Sequence, residues 1–208
     1  DALVNVENGG SLSLNQARLA YSDQYGVRVN GVENQELIGN TITFCDSYGI
    51  YFVDDSDALP AAPVIRDNVL NSNSSDAIYL SGQYLTGERT ITGNTGTGNT
   101  RNAIYLGTDF YGSAALSADN GLFWYFGSAA DIPAGQSLTL DPGAVVKFNG
   151  SSLDVLGTLN AIGTAENPIT FTSINDFEGG TPAKEDWNCI YLSGGGSAVL
   201  DHTVIRYG

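Results

Sequence analysis

The sequence predicts an all-β protein, a right-handed parallel β-helix (solenoid) of roughly 8 stacked rungs, and three observations support this fold class. First, a four-residue segment occurs four times, in which a small residue is followed by an apolar residue, an outward-pointing residue and a second apolar residue. Second, an Asn stands ten residues before the first apolar residue of the last three copies. Third, the connections are rich in turn-forming residues and show no helical period. A repeat of this length indicates supersecondary units stacked on one another.

The four copies account for the first half of the chain. They read YGVRVNG at 25–31, YGIYFVD at 48–54, DAIYLSG at 76–82 and NAIYLGT at 102–108. Alternation of apolar and polar residues within each copy is typical of a strand with one buried face. The upstream residues are Asn40, Asn68 and Asn94. We expect them at corners of the solenoid, where Asn accepts the left-handed conformation and can bond to the Asn of the next rung.

The second half of the chain has a different sequence pattern, with shorter strands between regular turns. Strands are predicted at 122–126, 137–140, 145–148, 153–155, 158–162 and 169–172, with turns at Pro142-Gly143, Gly150, Gly157 and Gly163. The segment 174–186 is polar and is predicted to be an insertion. WNCIYL at 187–192 then restores the small, apolar, Tyr, apolar order of the first half.

One β-helix over 1–208 is therefore the predicted organisation. Rungs with stacked Asn occupy 1–106 and end one module, 107–121 is an irregular junction, and 122–208 begins a second module. Because the chain begins and ends inside repeat-like sequence, we expect it to be a piece of a longer protein. Its neighbours would be further β-helix modules of the same chain or of other subunits.

Four motifs of the second half resemble a known module. They are AGQSLTLDPGAVVKF (134–148), LDVLGTLNAIGTAENPITFTS (153–173), WNCIYL (187–192) and LDHTVIRYG (200–208). Together they resemble a β-helix repeat module of large secreted bacterial and archaeal surface proteins. The resemblance implies an extracellular or cell-surface location, and its motif residues are turn formers and core positions rather than catalytic groups. Family members usually have Gly where Cys189 stands, so a tighter corner is expected there.

Charge excludes one class of partner. The chain carries 8 basic and 23 acidic residues, a net charge of −15, and the basic residues are scattered. Binding to nucleic acid needs clustered Lys and Arg, so nucleic acid is not expected as a partner. No apolar run approaches the length of a membrane span, so membrane insertion is not expected either. The two cysteines, Cys45 and Cys189, are distant in sequence and are expected to be two buried thiols.

The outward tyrosine of the repeat is the candidate ligand-binding feature. The apolar neighbours of Tyr51, Tyr79, Tyr105 and Tyr191 should point inward, so these four rings should point outward. In adjacent rungs the first three would stand about 4.8 Å apart, the spacing of strands in a sheet. Such a stripe could bind the sugar rings of a polysaccharide. The alternative is that the tyrosines stack on one another and only stabilise the sheet.

An acidic turn offers a second candidate site. Asp54, Asp55 and Asp57 follow a predicted strand, and oxygen ligands of this kind suit calcium. The spacing lacks the central Gly and the terminal Glu of an EF-hand, and an acidic turn is more often solvated than metal-bound. We therefore expect no obligatory cofactor and keep calcium as an alternative.

Catalytic residues are not evident in the sequence. The single His202 lies next to Asp201, and neighbours on a strand point to opposite faces, so the two are not expected to act together. We therefore favour a non-catalytic, structural or adhesive β-helix segment of a large modular surface protein. The alternatives are a β-helix that binds or degrades polysaccharide, as a lyase or glycoside hydrolase, and a filament or sheath subunit. The partners expected are polysaccharide or other cell-surface molecules.

Overall fold

The computed structural model describes residues 1–7, 9–31, 33–53, 60–85, 90–107, 109–119 and 121–208. Strands and a single short 3-10 turn at Gly82–Tyr84 make up its regular structure over these residues. The chain divides into two compact units. The first contains the described residues within 1–84, 89–105 and 119–122, and the second those within 85–88, 106–118 and 123–208.

The first unit is built from β1 to β13. The strands are β1 Ala2–Val6, β2 Leu12–Asn15, β3 Arg18–Ser22, β4 Tyr25–Asn30, β5 Gln35–Ile38, β6 Thr41–Cys45, β7 Ile50–Val53, β8 Val64–Arg66, β9 Val69–Asn71, β10 Asp76–Leu80, β11 Ile91–Thr92, β12 Thr95–Thr97 and β13 Arg101–Leu106. They form three parallel sheets in the orders β1-β4-β7-β10-β13, β2-β5-β8-β11 and β3-β6-β9-β12. Each strand pairs with the strand three places before it in the chain, which is the connectivity of a three-sided solenoid.

The second unit repeats this connectivity with β14 to β24. The strands are β14 Ala114–Leu116, β15 Phe123–Phe126, β16 Ala130–Ile132, β17 Ser137–Leu140, β18 Val145–Phe148, β19 Leu153–Val155, β20 Thr158–Ile162, β21 Ile169–Ser173, β22 Ile190–Leu192, β23 Ser197–Asp201 and β24 Thr203–Ile205. Its parallel sheets have the orders β15-β18-β21-β24, β14-β17-β20-β23 and β16-β19-β22. The predicted fold class, a parallel β-helix, is confirmed, and the number of turns differs slightly from the roughly 8 expected.

In-register pairing places like residues above one another and so builds the core. Val27 of β4 pairs with Ile50 of β7, which pairs with Ile78 of β10, and all three side chains have 0% exposure. A small residue stands directly before each of these three apolar residues, and at Gly26 close approach of the neighbouring rung requires it. A Cβ added to Gly26 would lie 2.3 Å from a methyl carbon of Ile42. This packing therefore explains why small and apolar residues repeat in the sequence.

Stacked Asn side chains close the corner of the first unit between its second and third sheets. The Asn40 Nδ2 atom donates to Asn68 Oδ1 over 2.9 Å, and Asn68 Nδ2 donates to Asn94 Oδ1 over 2.9 Å. All three side chains are fully buried. The left-handed conformation, which we expected at the Asn itself, belongs instead to the preceding residue, as in Gly39 (φ 66°) and Asp67 (φ 57°). The residue with positive φ turns the chain at the corner, and the Asn that follows it forms hydrogen bonds between the rungs.

A second corner carries another row of Asn that the sequence analysis missed. Asn73 Nδ2 donates to Asn99 Oδ1 over 2.9 Å, and Asn99 Nδ2 donates to Asn102 Oδ1 over 3.0 Å. Cys45 occupies the corresponding position one rung earlier, where its backbone N–H donates to Asn73 Oδ1. Burial raises the pKa of the Cys45 thiol to about 11, so this Cys is an uncharged core residue.

Two expectations about single residues were wrong. Cys189 is exposed rather than buried, although Cys45 is buried as expected and both are free thiols. His202 Nδ1 lies 2.9 Å from Asp201 Oδ1, so the two do not point to opposite faces. The reason is that His202 has a φ of 46° and stands between β23 and β24, outside the strand alternation.

Candidate functional site

Five tyrosines of the first unit form one contiguous group, which we call the tyrosine column: Tyr25, Tyr48, Tyr51, Tyr79 and Tyr105. Tyr51 of β7 pairs in register with Tyr79 of β10, because both are the middle residue of an apolar, Tyr, apolar strand. Parallel pairing in register holds such side chains at the strand spacing. The column is therefore a direct product of the repeat.

Ring contacts within the tyrosine column are close. The ring centroids of Tyr25 and Tyr51 are 4.7 Å apart with an interplanar angle of 11°, and those of Tyr51 and Tyr79 are 4.7 Å apart at 35°. Tyr105 meets Tyr79 edge to face at 5.3 Å and 89°. Tyr48 lies beside the row, 5.3 Å from Tyr51. Much of each ring face is thus covered by another ring, an arrangement that stabilises aromatic pairs beyond the area they bury.

Tyr25 and Tyr48 were not among the predicted site residues. In the register of the sheet Tyr51 lies opposite Arg28, and the Tyr25 ring reaches Tyr51 from three positions earlier on β4. The sequence did carry a signal for both residues. Each stands directly before a small residue of the repeat, in the pairs Tyr25-Gly26 and Tyr48-Gly49.

The environment of the column favours the neutral phenol at Tyr79 and Tyr48. Burial, followed by the neighbouring phenols of Tyr51, Tyr105 and Tyr48, raises the pKa of Tyr79 to about 12. Burial also raises the pKa of Tyr48. The side chains are half-buried rather than buried, so the edge of the column remains in contact with solvent.

A buried ion pair supports the column from β10 and β13. Asp76 has 0% side-chain exposure, and its carboxylate accepts two hydrogen bonds from Arg101, Nε to Oδ1 over 2.6 Å and Nη2 to Oδ2 over 2.7 Å. Burial raises the pKa of Asp76, while the hydrogen bonds from Arg101 lower it. Such a two-point contact satisfies both carboxylate oxygens, which a buried charge requires.

Tyr191 does not belong to the tyrosine column. It lies on β22 in the second unit, pairs with Asp154 of β19, and is 55% exposed. Asp154 in turn pairs with Asp131 of β16, and burial and the nearby carboxylates of Asp109 and Asp154 raise the pKa of Asp131. The ring of Tyr191 is therefore presented beside acidic groups, and a sugar-binding role for it stays a prediction.

The acidic turn lies outside the described residues. Asp54, Asp55 and Asp57 all fall in the gap between 53 and 60. Within the part of the chain that the structure describes, no group of three or more His, Cys, Asp and Glu side chains could hold a metal ion. The calcium site at this turn stays a prediction.

The second unit contains a polar cluster that the sequence analysis did not single out. Lys147 of β18 is 8% exposed, and its Nζ donates to the backbone oxygen of Asp176 over 2.6 Å. The Asp176 carboxylate accepts from Thr172 Oγ1 over 2.7 Å and pairs with Arg206 at 2.5 Å. Burial lowers the pKa of Lys147. These contacts hold the insertion at 174–186 against β18 and β21.

No helix among the described residues has both the length and the apolar character needed to cross a bilayer.

The fold and the column together define a class of protein: a parallel β-helix in which outward side chains of successive rungs contact one another. A family model described as a right-handed β-helix region matches residues 3–120, more than half of the chain. The chain therefore belongs to the right-handed β-helix family. Neither a curated protein nor a solved structure matched the sequence.

Proposed function

We propose that this chain is a non-catalytic structural segment of a large modular cell-surface protein, where it acts as a stiff spacer or adhesive stalk. The observation that carries this proposal is that side chains of neighbouring rungs contact and bond to one another. The rings of the tyrosine column contact one another at centroid distances of 4.7 to 5.3 Å along four strands, and buried Asn side chains bond from rung to rung. Side chains engaged in this way stiffen the solenoid.

Buried ionisable groups support the same proposal. An active site needs such groups to face a substrate. Asp76 instead bonds to Arg101 through both oxygens, and Lys147 donates to the backbone of Asp176. Both groups therefore fix structure at the positions where they stand.

A surface location is supported by composition and by the resemblance of the second half to surface-protein modules. The excess of 23 acidic over 8 basic residues favours solubility and repels other copies of the chain. Digestion of intact source cells with a protease, followed by detection with an antibody to this segment, tests the location. The segment should be lost from intact cells; its survival until the cells are lysed would contradict the proposal.

Carbohydrate binding is the second candidate, because the tyrosine column is half-buried and keeps an edge in solvent. A glycan array, read with calcium and with chelator, separates it from the structural role. Binding that disappears in Tyr51→Ala, Tyr79→Ala and Tyr105→Ala, but not in the exposed control Tyr111→Ala, would assign the column to sugar binding. Binding lost only in chelator would assign it to the acidic turn at 54–57. No binding in either condition is the result expected for a spacer.

A further inference from the structure

The tyrosine column has a chemical property that neither stiffness nor sugar binding uses. Its phenol rings are in unbroken contact from Tyr25 through Tyr51 and Tyr79 to Tyr105, with centroid separations of 4.7, 4.7 and 5.3 Å. Tyr48 contacts both central rings, 5.3 Å from Tyr51 and 5.4 Å from Tyr79. Tyr48 and Tyr51 are three residues apart, but the other ring contacts join different rungs and so link segments that are far apart in sequence.

We propose that the tyrosine column is a site of oxidative cross-linking, at which neighbouring tyrosines couple to dityrosine and join adjacent rungs covalently. Each of two phenols gives one electron to a one-electron oxidant, such as a haem peroxidase supplied with hydrogen peroxide, and one proton to water. The two phenoxyl radicals combine through the ring carbons ortho to oxygen. One carbon–carbon bond forms, and the hydrogens on the two coupled carbons move to the oxygens and restore both phenols. The net loss is two hydrogen atoms, one from each ring carbon, and the peroxide takes up the two electrons and two protons to give two molecules of water.

Position within the fold favours coupling inside one molecule. A phenoxyl radical formed on Tyr51 has Tyr25, Tyr48 and Tyr79 already in ring contact. Holding two reactants together replaces a bimolecular encounter with a step inside the molecule. In-register pairing of β7 with β10 also keeps the two backbones at the strand spacing, so the rings of Tyr51 and Tyr79, now tilted by 35°, need only turn until their edges meet.

Other tyrosines of the chain provide an internal comparison. Tyr21 is 78% exposed but stacks on Phe44, at 5.1 Å and 7°, and a phenylalanine cannot supply the second phenoxyl radical. Tyr111 and Tyr191 are 57% and 55% exposed and stand outside the column. Accessibility alone would direct oxidation to these three residues and would link separate molecules. Coupling governed by geometry would instead link residues of the column.

The cross-link should stabilise the first unit. Joining Tyr51 to Tyr79 closes a loop of the unfolded chain that contains a complete turn of the solenoid. A cross-link lowers the conformational entropy of the unfolded state, as a disulfide does. The oxidised monomer should therefore unfold at a higher urea concentration than the untreated one.

The test oxidises the dilute, purified chain with a haem peroxidase and hydrogen peroxide and isolates the monomer on a denaturing gel. We expect dityrosine fluorescence in the monomer, and peptide mapping should find pairs that have lost two hydrogen atoms and join Tyr25, Tyr48, Tyr51, Tyr79 or Tyr105. Dityrosine only in dimers, or pairs that map to Tyr21, Tyr111 or Tyr191, would overturn the proposal.

Matched variants sharpen the result. The double variant Tyr51→Phe with Tyr79→Phe keeps the rings but leaves Tyr25 and Tyr48, at 6.2 Å, as the remaining contact among the described pairs. Its yield of cross-linked monomer should fall several-fold. The control, Tyr111→Phe with Tyr191→Phe, should leave the yield unchanged. An unchanged yield in the first variant would refute the assignment, and the peptide map of the unsubstituted chain decides the question if that variant does not fold.

Discussion

Replacement of Asn68 by Ala tests the role of the stacked Asn residues directly. Asn68 Oδ1 accepts from the backbone N–H of Asn40 over 3.0 Å and from its Nδ2 over 2.9 Å. Asn68 Nδ2 donates to the backbone oxygen of Leu37 over 2.9 Å and to Asn94 Oδ1 over 2.9 Å. The side chain is fully buried, so water does not replace these partners. Truncation to Ala removes all four bonds.

The size of the loss follows from what each partner retains. Asn40 Nδ2 keeps its bond to Leu14, and Asn94 Oδ1 keeps its bond from the backbone N–H of Asn68. The backbone N–H of Asn40 loses the acceptor it has in the structure. An intramolecular hydrogen bond contributes about 0.5–1.5 kcal/mol, and an orphaned buried group costs about 1–3 kcal/mol. We therefore expect the free energy of unfolding of the first unit to fall by about 4 kcal/mol, a large share of the roughly 5–15 kcal/mol of a typical domain.

Urea unfolding followed by near-UV circular dichroism of tyrosine measures this loss. The tyrosine column lies in the first unit, whereas Trp124 and Trp187 lie in the second, so tryptophan fluorescence reports on the second unit. Asn34→Ala, at an exposed position, is the control and should change stability by less than about 0.5 kcal/mol. Asn68→Asp should also be destabilised, because it places an acceptor against the oxygens of Leu37 and Asn94. A loss below about 1 kcal/mol in Asn68→Ala would refute the view that the stacked Asn residues hold the rungs together.

Further predictions concern ionisation, the buried ion pair and the core. Because the pKa of Tyr79 is raised to about 12 in the folded chain, against about 10 in an unfolded one, the unfolded state binds fewer protons between these values. Stability should therefore fall as the pH rises from about 10 to about 12, and Tyr79→Phe should reduce this slope in urea titrations at several pH values. Arg101→Met should cost about 3–5 kcal/mol because it leaves the Asp76 carboxylate buried without a partner, and adding Asp76→Asn should recover part of the loss in the same tyrosine signal. Phe148→Ala should cost about 3–5 kcal/mol in the second unit and shift the emission of Trp187, on which the Phe148 ring stacks at 4.5 Å.

Strands and turns of the second half were predictable because each has a local chemical signature. The predicted strands 137–140, 145–148 and 153–155 coincide with β17, β18 and β19. Their inward residues alternate with outward ones, and Pro and Gly mark the ends. Gly143 and Gly150 indeed adopt positive φ, of 88° and 65°. For these strands and turns, a few neighbouring residues are enough to predict the local structure.

Features that depend on the three-dimensional path of the chain were harder to predict. Tyr25 joins the tyrosine column from a position offset by three residues from the register partner of Tyr51, so the alignment of repeats places it level with Tyr48 and does not reveal its contact with Tyr51. The row of Asn73, Asn99 and Asn102 ends with two residues only three apart in sequence, which breaks the period. Exposure of Cys189, which directly precedes β22, likewise depends on which segments pack against it and not on its own residue type.

The corners of the first unit explain why membership of the right-handed β-helix family predicts the structure but not the ligand. Gln16, Gly39, Asp67 and Gly93 hold the same corner with positive φ, although they share no side-chain chemistry. What recurs is the backbone turn and, after Gly39, Asp67 and Gly93, an Asn that bonds to a neighbouring rung. The tyrosine column obeys the same rule on the outward face, since Tyr79 contacts rings of the rungs before and after it. The most regular residues of this sequence are therefore those that contact one another between rungs, which is why the repeat predicts the fold and does not by itself indicate a ligand.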